Sequence, residues 1–137
     1  MENPLAPWLD QVILGDCRQV LPTLPEESVD LIFADPPYNL QLSSDLWRPN
    51  VTRVDGVQES WDKFESLQAY DAFTQEWLCA CRRVLKPTGS LFVHLDYREV
   101  HYVKVALDGI FGRDAFINEV IWAYDYGART RARWSPK

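Results

Sequence analysis

At 137 residues and 15.9 kDa the chain suits one ordinary domain, and about two-thirds of the surface of its unfolded state can be buried at that size. Apolar residues make up 47% and charged residues 25%, which excludes a disordered or collagen-like chain, and the aromatic share of 13% is high enough that some rings are expected to do more than fill a core. The formal charge of −6 argues against a nucleic-acid partner until its distribution is read: all 20 acids lie at or before Asp125, while the last twelve residues carry Arg129, Arg131, Arg133 and Lys137 and no acid.

In chain order, Val12-Ile13-Leu14 before Gly15-Asp16 predicts a short strand. Asp16 followed by Gln19 predicts a helix N-cap with its reciprocal partner. Val29 to Ala34, apolar except for Asp30, predicts a parallel strand buried on both faces. Tyr70, Phe73, Trp77, Cys81 and Val84 recur at helical spacing, and Lys86-Pro87-Thr88-Gly89 is expected to stop that helix. Ser90 to Leu95 predicts another strand. Val100, Val103, Leu107 and Ile110 predict a second helix closing near Gly112, and Ile117 to Tyr124 predicts a last strand. Alternating strands and helices without internal repeats give an α/β sheet as the expected class.

Gln41 to Glu65 is long, polar and aperiodic, yet it contains Trp47 and Trp61, so it reads as a lid that orders on a ligand. The three cysteines are an odd number, and Cys79 and Cys81 fall inside the helical pattern. A disulfide framework or a zinc site is therefore not expected, and neither His94 nor His101 has further ligands at metal spacing. The N-terminus lacks a signal-peptide pattern and no run reaches a membrane span, so the cytoplasm is the expected compartment and no membrane the expected partner.

The sharpest local feature is Asp35-Pro36-Pro37-Tyr38 directly after the buried strand Leu31-Ile32-Phe33-Ala34. Ligands of open α/β sheets bind at the carboxyl ends of the strands. Two prolines fix φ there and remove two backbone donors, so the turn is stiff and rich in acceptors. Asp35 adds a carboxylate and Tyr38 a flat ring. Together they suit a planar ring that carries an amino group. The plain alternative is an Asx-Pro turn with Tyr38 in the core, which the preceding strand and the following Asn39-Leu40 make less fitting.

The run Leu31 to Leu40 resembles the catalytic motif of amino-methylating DNA methyltransferases, the adenine-N6/cytosine-N4 family, in the permuted class that carries this motif first. The resemblance covers most of the chain, from Val12 to Lys137. Val12 to Cys17, Leu24-Pro25, Ser28-Val29-Asp30, Trp61-Asp62 with Phe64, Arg83 to Pro87 with Gly89, and Asn118 to Trp122 resemble further family segments. It implies a partial Rossmann-like methyltransferase fold with a mostly parallel sheet, S-adenosylmethionine as cofactor without a metal, and double-stranded DNA as partner. A homodimer and a cognate restriction endonuclease remain open as further partners. Asp at the start of the motif resembles adenine-modifying members, where cytosine-modifying ones more often carry Ser.

On that resemblance Asp35, Pro36, Pro37 and Tyr38 are the expected catalytic residues: Asp35 and the Pro36 carbonyl accept from the amine, and Tyr38 stacks on the flipped base. Asp16, Cys17 and Asp35 are the expected cofactor contacts, and Arg129, Arg131 and Arg133 the expected phosphate contacts. The competing readings are a cytosine-4-amino methyltransferase, an RNA or protein-amide methyltransferase, and a non-catalytic binding module with this fold. The family's glycine-rich cofactor turn has no counterpart, since the six glycines never form Gly-x-Gly. The expectation is therefore an incomplete domain: an N-terminal catalytic part over residues 1–137, with target recognition starting at about residue 126, little turnover alone, and open sheet edges beside an uncovered apolar face.

Overall fold

The structure is a computed structural model and describes residues 4–40, 52 and 60–123. Its principal elements are α1 (Cys17–Val20), β1 (Val29–Ala34), α2 (Leu67–Val84), β2 (Leu85–Val93) and α3 (Val100–Phe111), joined in part by short 3-10 turns. β1 and β2 pair in parallel, with α2 as the crossover between them.

The helices form where the apolar spacing places them. In α2, Tyr70, Thr74, Trp77, Leu78, Cys81 and Val84 are buried on one stripe, and Ser66 caps its first turn by accepting from the Ala69 amide at 3.1 Å. The helix stops at Val84, two residues before Lys86-Pro87, and the four residues expected to break it lie instead in the extended start of β2. α3 ends at Gly112, whose φ of 88° is open to glycine and strained for other residues.

Trp77, Leu78, Cys81 and Val103 form the core, and Ile32, Ala34, Leu91 and Val93 from the sheet close over it. Burial pushes the Cys81 thiol up to about 12, as expected of a structural cysteine. The register pairs Leu31 with Ser90, Phe33 with Phe92 and Ala34 with Val93, after an irregularity between Val29 and Leu31. Gly89 sits at that irregularity, where a Cβ would stand 2.8 Å from Leu85 Cδ1 and 3.0 Å from the Asp30 carbonyl. Lys86 closes the same corner by pairing with Asp30 at 2.7 Å.

Two expected strands do not form. Residues 11–14 are irregular, with Val12 and Leu14 fully exposed, and 117–123 are irregular with Ile117, Val120 and Ile121 exposed. Strands need an edge to pair with, and in the described residues neither segment is paired to the sheet. Both helices of the core lie on one face of that sheet. Its other face presents Leu31, Phe33 (70% exposed) and Phe92, so the burial of β1 on both faces expected from its apolar run is found on one face only. Among the described residues no helix is long and apolar enough to cross a membrane.

Glu99, at the N-terminal end of α3, is buried without capping the helix. Burial, then the charge of Asp96, raises its carboxyl above the ordinary glutamate value, against the pull of Arg98. A carboxyl raised on folding adds stability only while it is protonated, below its unfolded value, and that contribution is lost as pH rises through the raised value. Glu99→Gln is therefore expected to be at least as stable as the parent at pH 7 and to lose part of the parent's decline in stability between mildly acidic and neutral pH, as read from urea unfolding midpoints. A variant less stable than the parent at pH 7 with an unchanged pH slope contradicts this.

Candidate active site

β1 delivers Asp35-Pro36-Pro37-Tyr38 at its carboxyl end, and the ladder continues one step further, with the His94 amide donating to the Ala34 carbonyl at 2.8 Å. That step brings His94 beside Asp35. The Tyr38 hydroxyl donates to Asp35 Oδ1 in a very short contact, and His94 Nδ1 lies 3.0 Å from the same oxygen and 2.7 Å from the Tyr38 oxygen. The Tyr38 and His94 rings meet edge to face, with centroids 5.8 Å apart. Burial, followed by the bond to Asp35, pushes the Tyr38 phenol far up, so the ring is neutral over the physiological range.

The rest of the loop is fixed from outside. The Tyr70 hydroxyl on α2 donates to the Pro37 carbonyl at 3.0 Å, and burial, then the charge of Glu99, pushes that phenol up to about 12. Asp62, only 6% exposed, accepts from the Asn39 amide at 2.8 Å and from the Leu40 amide at 3.4 Å. Asn39 needs that support, since its φ of 51° is left-handed. Arg98, held by Asp96 at 2.7 Å through Nε, reaches the Leu40 carbonyl at 3.4 Å. Trp122, largely exposed, comes to 6.1 Å of the His94 ring.

Asp35 Oδ2 and the Pro36 carbonyl oxygen have no donor among the described residues, and neither have the main-chain carbonyls of Asp35 and Tyr38. Asp35 Oδ1 is met by the Tyr38 hydroxyl and the imidazole, and the Pro37 carbonyl by the Tyr70 hydroxyl. Of the acceptors without a donor, Asp35 Oδ2 and the Pro36 carbonyl come from adjoining residues, Asp35 being the carboxylate partner of Tyr38 and Pro36 lying two positions before it, and two such acceptors suit a ligand with two N–H donors on one nitrogen.

Asp16 does cap α1, with its carboxylate on the Arg18 amide at 2.9 Å, and the side-chain partner is Arg18 rather than Gln19. Arg18 takes both carboxylate oxygens, at 3.1 Å and 2.7 Å at closest, and pairs also with Glu76 at 3.1 Å. These bonds lower the Asp16 carboxyl below its usual value. Cys17 is exposed in the first turn of α1. Arg129, Arg131, Arg133 and most of the stretch from 41 to 65, with Trp47, lie outside the described residues.

Sequence reasoning placed Asp35, Pro36, Pro37 and Tyr38 together and missed the three side chains that hold them. Tyr70 reads as one more apolar residue on the α2 stripe, and His94 as a strand residue. Asp62 carried a signal, the Trp61-Asp62 pair, without a role attached to it.

Residues 29–136 match a protein-family model described as DNA methylase. The chain is 39% identical over 123 residues to the Type II methyltransferase M.HinfI of Haemophilus influenzae, an alignment that covers 89% of this chain and 33% of that protein. It is 29% identical over 130 residues to the Type II methyltransferase M.HpaI of Haemophilus parainfluenzae, covering 94% of this chain and 37% of that protein. The chain thus spans about a third of the length of these curated relatives. With the family match running through β1, the Asp35-to-Tyr38 loop and both long helices, the chain belongs to the N6-adenine/N4-cytosine DNA methylase family.

Proposed function

We propose that these residues form the base-amine pocket of a DNA adenine methyltransferase, which methylates the 6-amino group of an adenine turned out of the duplex. The observation that carries the reading is that Asp35 Oδ2 and the Pro36 carbonyl, on adjoining residues of the loop that holds Tyr38, have no donor among the described residues. The naming of both Haemophilus relatives as Type II methyltransferases supports it. So does Asp rather than Ser at position 35.

The methyl donor that the family implies is S-adenosylmethionine, which brings an electrophilic methyl group on sulfur. Asp16, which keeps its bonds to Arg18, and Cys17 would contact it, while none of the six glycines belongs to a Gly-x-Gly turn; the residues from Asp35 to Tyr38 face the other substrate. What these residues do on their own is prepare the amine. The lone pair of an exocyclic amino nitrogen is delocalised into the ring, which makes it a poor nucleophile. Two acceptors, one for each amino proton, favour a pyramidal nitrogen and localise that pair, with no covalent bond to the enzyme. Stacking on Tyr38 offsets part of the few kcal/mol lost when the base leaves its duplex. Arg129, Arg131 and Arg133 would contact phosphates and set no base preference.

Methyl-labelled cofactor and duplex DNA, given to the protein and to a chimera carrying its residues in place of the matched stretch of the Haemophilus influenzae relative, test the proposal through nucleoside analysis of the product. Label in 6-methyladenine is expected from the chimera, and little label from the chain alone. Label in 4-methylcytosine, or a folded chimera that binds cofactor and transfers nothing, overturns the reading.

A further inference from the structure

We infer that His94 is a positioning residue that locks the Asp35 carboxylate and the Tyr38 ring in one arrangement and thereby presents Asp35 Oδ2 to the target amine; the inference rests on the reading above that Asp35 receives this amine. A carboxylate offers only acceptors, so a ring nitrogen 3.0 Å from Asp35 Oδ1 has to carry a proton. The Tyr38 hydroxyl gives its own proton to that same oxygen, which leaves the phenol oxygen free to accept from His94 Nδ1 at 2.7 Å. One N–H is therefore shared between the carboxylate and the phenol, and Oδ1 is met by two donors.

Both donors are needed for a fixed carboxylate. The Asp35 side chain is 59% exposed, and a single hydroxyl bond sets a distance while leaving its plane free to turn. His94 brings the second direction, and its own backbone is fixed by the bond from its amide to the Ala34 carbonyl at 2.8 Å. The edge-to-face contact, with ring planes 78° apart, passes the same order to the Tyr38 ring on which the base would stack. With Oδ1 occupied, Oδ2 is the oxygen left for a ligand. The imidazole thus acts through Asp35 and Tyr38.

The test uses the full chain with nitrogen-15-labelled histidine, at a pH well above the ordinary imidazole value of about 6.5, where NMR separates the two neutral tautomers. His94 is expected as the Nδ1–H form, and Asp35→Ala is expected to shift it toward the Nε2–H form that free histidine favours. An Nε2–H ring in the parent chain, or no shift in Asp35→Ala, overturns the inference. Adenosine is then titrated into the parent, His94→Asn and His94→Leu. Asn places an amide N–H where Nδ1 stands and is expected to bind adenosine close to the parent, whereas Leu is expected to weaken it by about tenfold or more, the loss of one bond to a charged group. Equal affinity of the Leu variant and the parent overturns the positioning role. A parent chain that does not take up adenosine refutes the adenine reading instead, and the tautomer still decides whether the lock exists. A Leu variant that fails to fold leaves the decision to the tautomer of the parent and of Asp35→Ala.

Discussion

Asp35→Ala is expected to lower methyl transfer by about 10²- to 10³-fold in the Haemophilus influenzae chimera, the usual cost of removing one preorganised group that meets charge as it develops. The expectation follows from geometry more than from motif. Asp35 projects from the carboxyl end of β1, the Tyr38 hydroxyl donates to one of its oxygens with His94 Nδ1 3.0 Å from the same atom, and its second oxygen has no donor among the described residues. The substitution removes an exposed side chain from a loop held elsewhere by Tyr70 and Asp62, so the thermal midpoint is expected to move little. Cofactor binding by calorimetry is expected to persist. Loss of cofactor affinity equal to the loss of rate would assign Asp35 to the cofactor and leave the amine without its carboxylate.

The largest loss of stability near the site is expected from Asp62→Ala. Its carboxylate is buried and accepts from two successive backbone amides of a segment whose first residue has a left-handed backbone. Removing it deletes one good and one long charge-assisted bond and leaves buried donors unmatched, which costs about 2–4 kcal/mol in a mutational comparison. Urea unfolding reads that loss. Amide exchange at Asn39 and Leu40 reads its place, with both amides expected to exchange about a hundredfold faster or more. Asp62→Asn keeps one acceptor and is expected to fall between the two. An Asp62→Ala chain within about 0.5 kcal/mol of the parent, with protected Asn39 and Leu40 amides, would show that the loop keeps its shape without this carboxylate.

The sequence made the helices plain because each writes its burial into a repeating stripe. Tyr70, Trp77, Cys81 and Val84 all face the core of α2, and Val103 does so in α3. The apolar runs at Val12 to Leu14 and Ile117 to Tyr124 announce a tendency to be buried, which is not the same as having an edge to pair with; neither forms a strand in the described residues. The loop from Asp35 to Tyr38 was legible for a different reason. Two prolines directly after a strand leave little conformational choice.

Its supporting side chains were hidden because they depend on register. The irregularity near Gly89 shifts β2 against β1, and only after that shift does Ala34 face Val93 and His94 come beside Asp35. A slip of one residue would turn His94 away from that carboxylate. Tyr70 reaches Pro37 across 33 residues of chain and Asp62 reaches Asn39 across 23, distances at which no local pattern connects the partners.

The proposed pocket requires that Asp35 Oδ2 and the Pro36 carbonyl accept the two protons of one amino nitrogen. A crystal structure of the chimera with duplex DNA and a non-reactive cofactor analogue measures it directly. An adenine out of the stack is expected, with its 6-amino nitrogen about 2.7–3.2 Å from both oxygens and its ring against Tyr38. An extruded cytosine with its amine in that place, or an adenine whose amine meets neither oxygen, would contradict it.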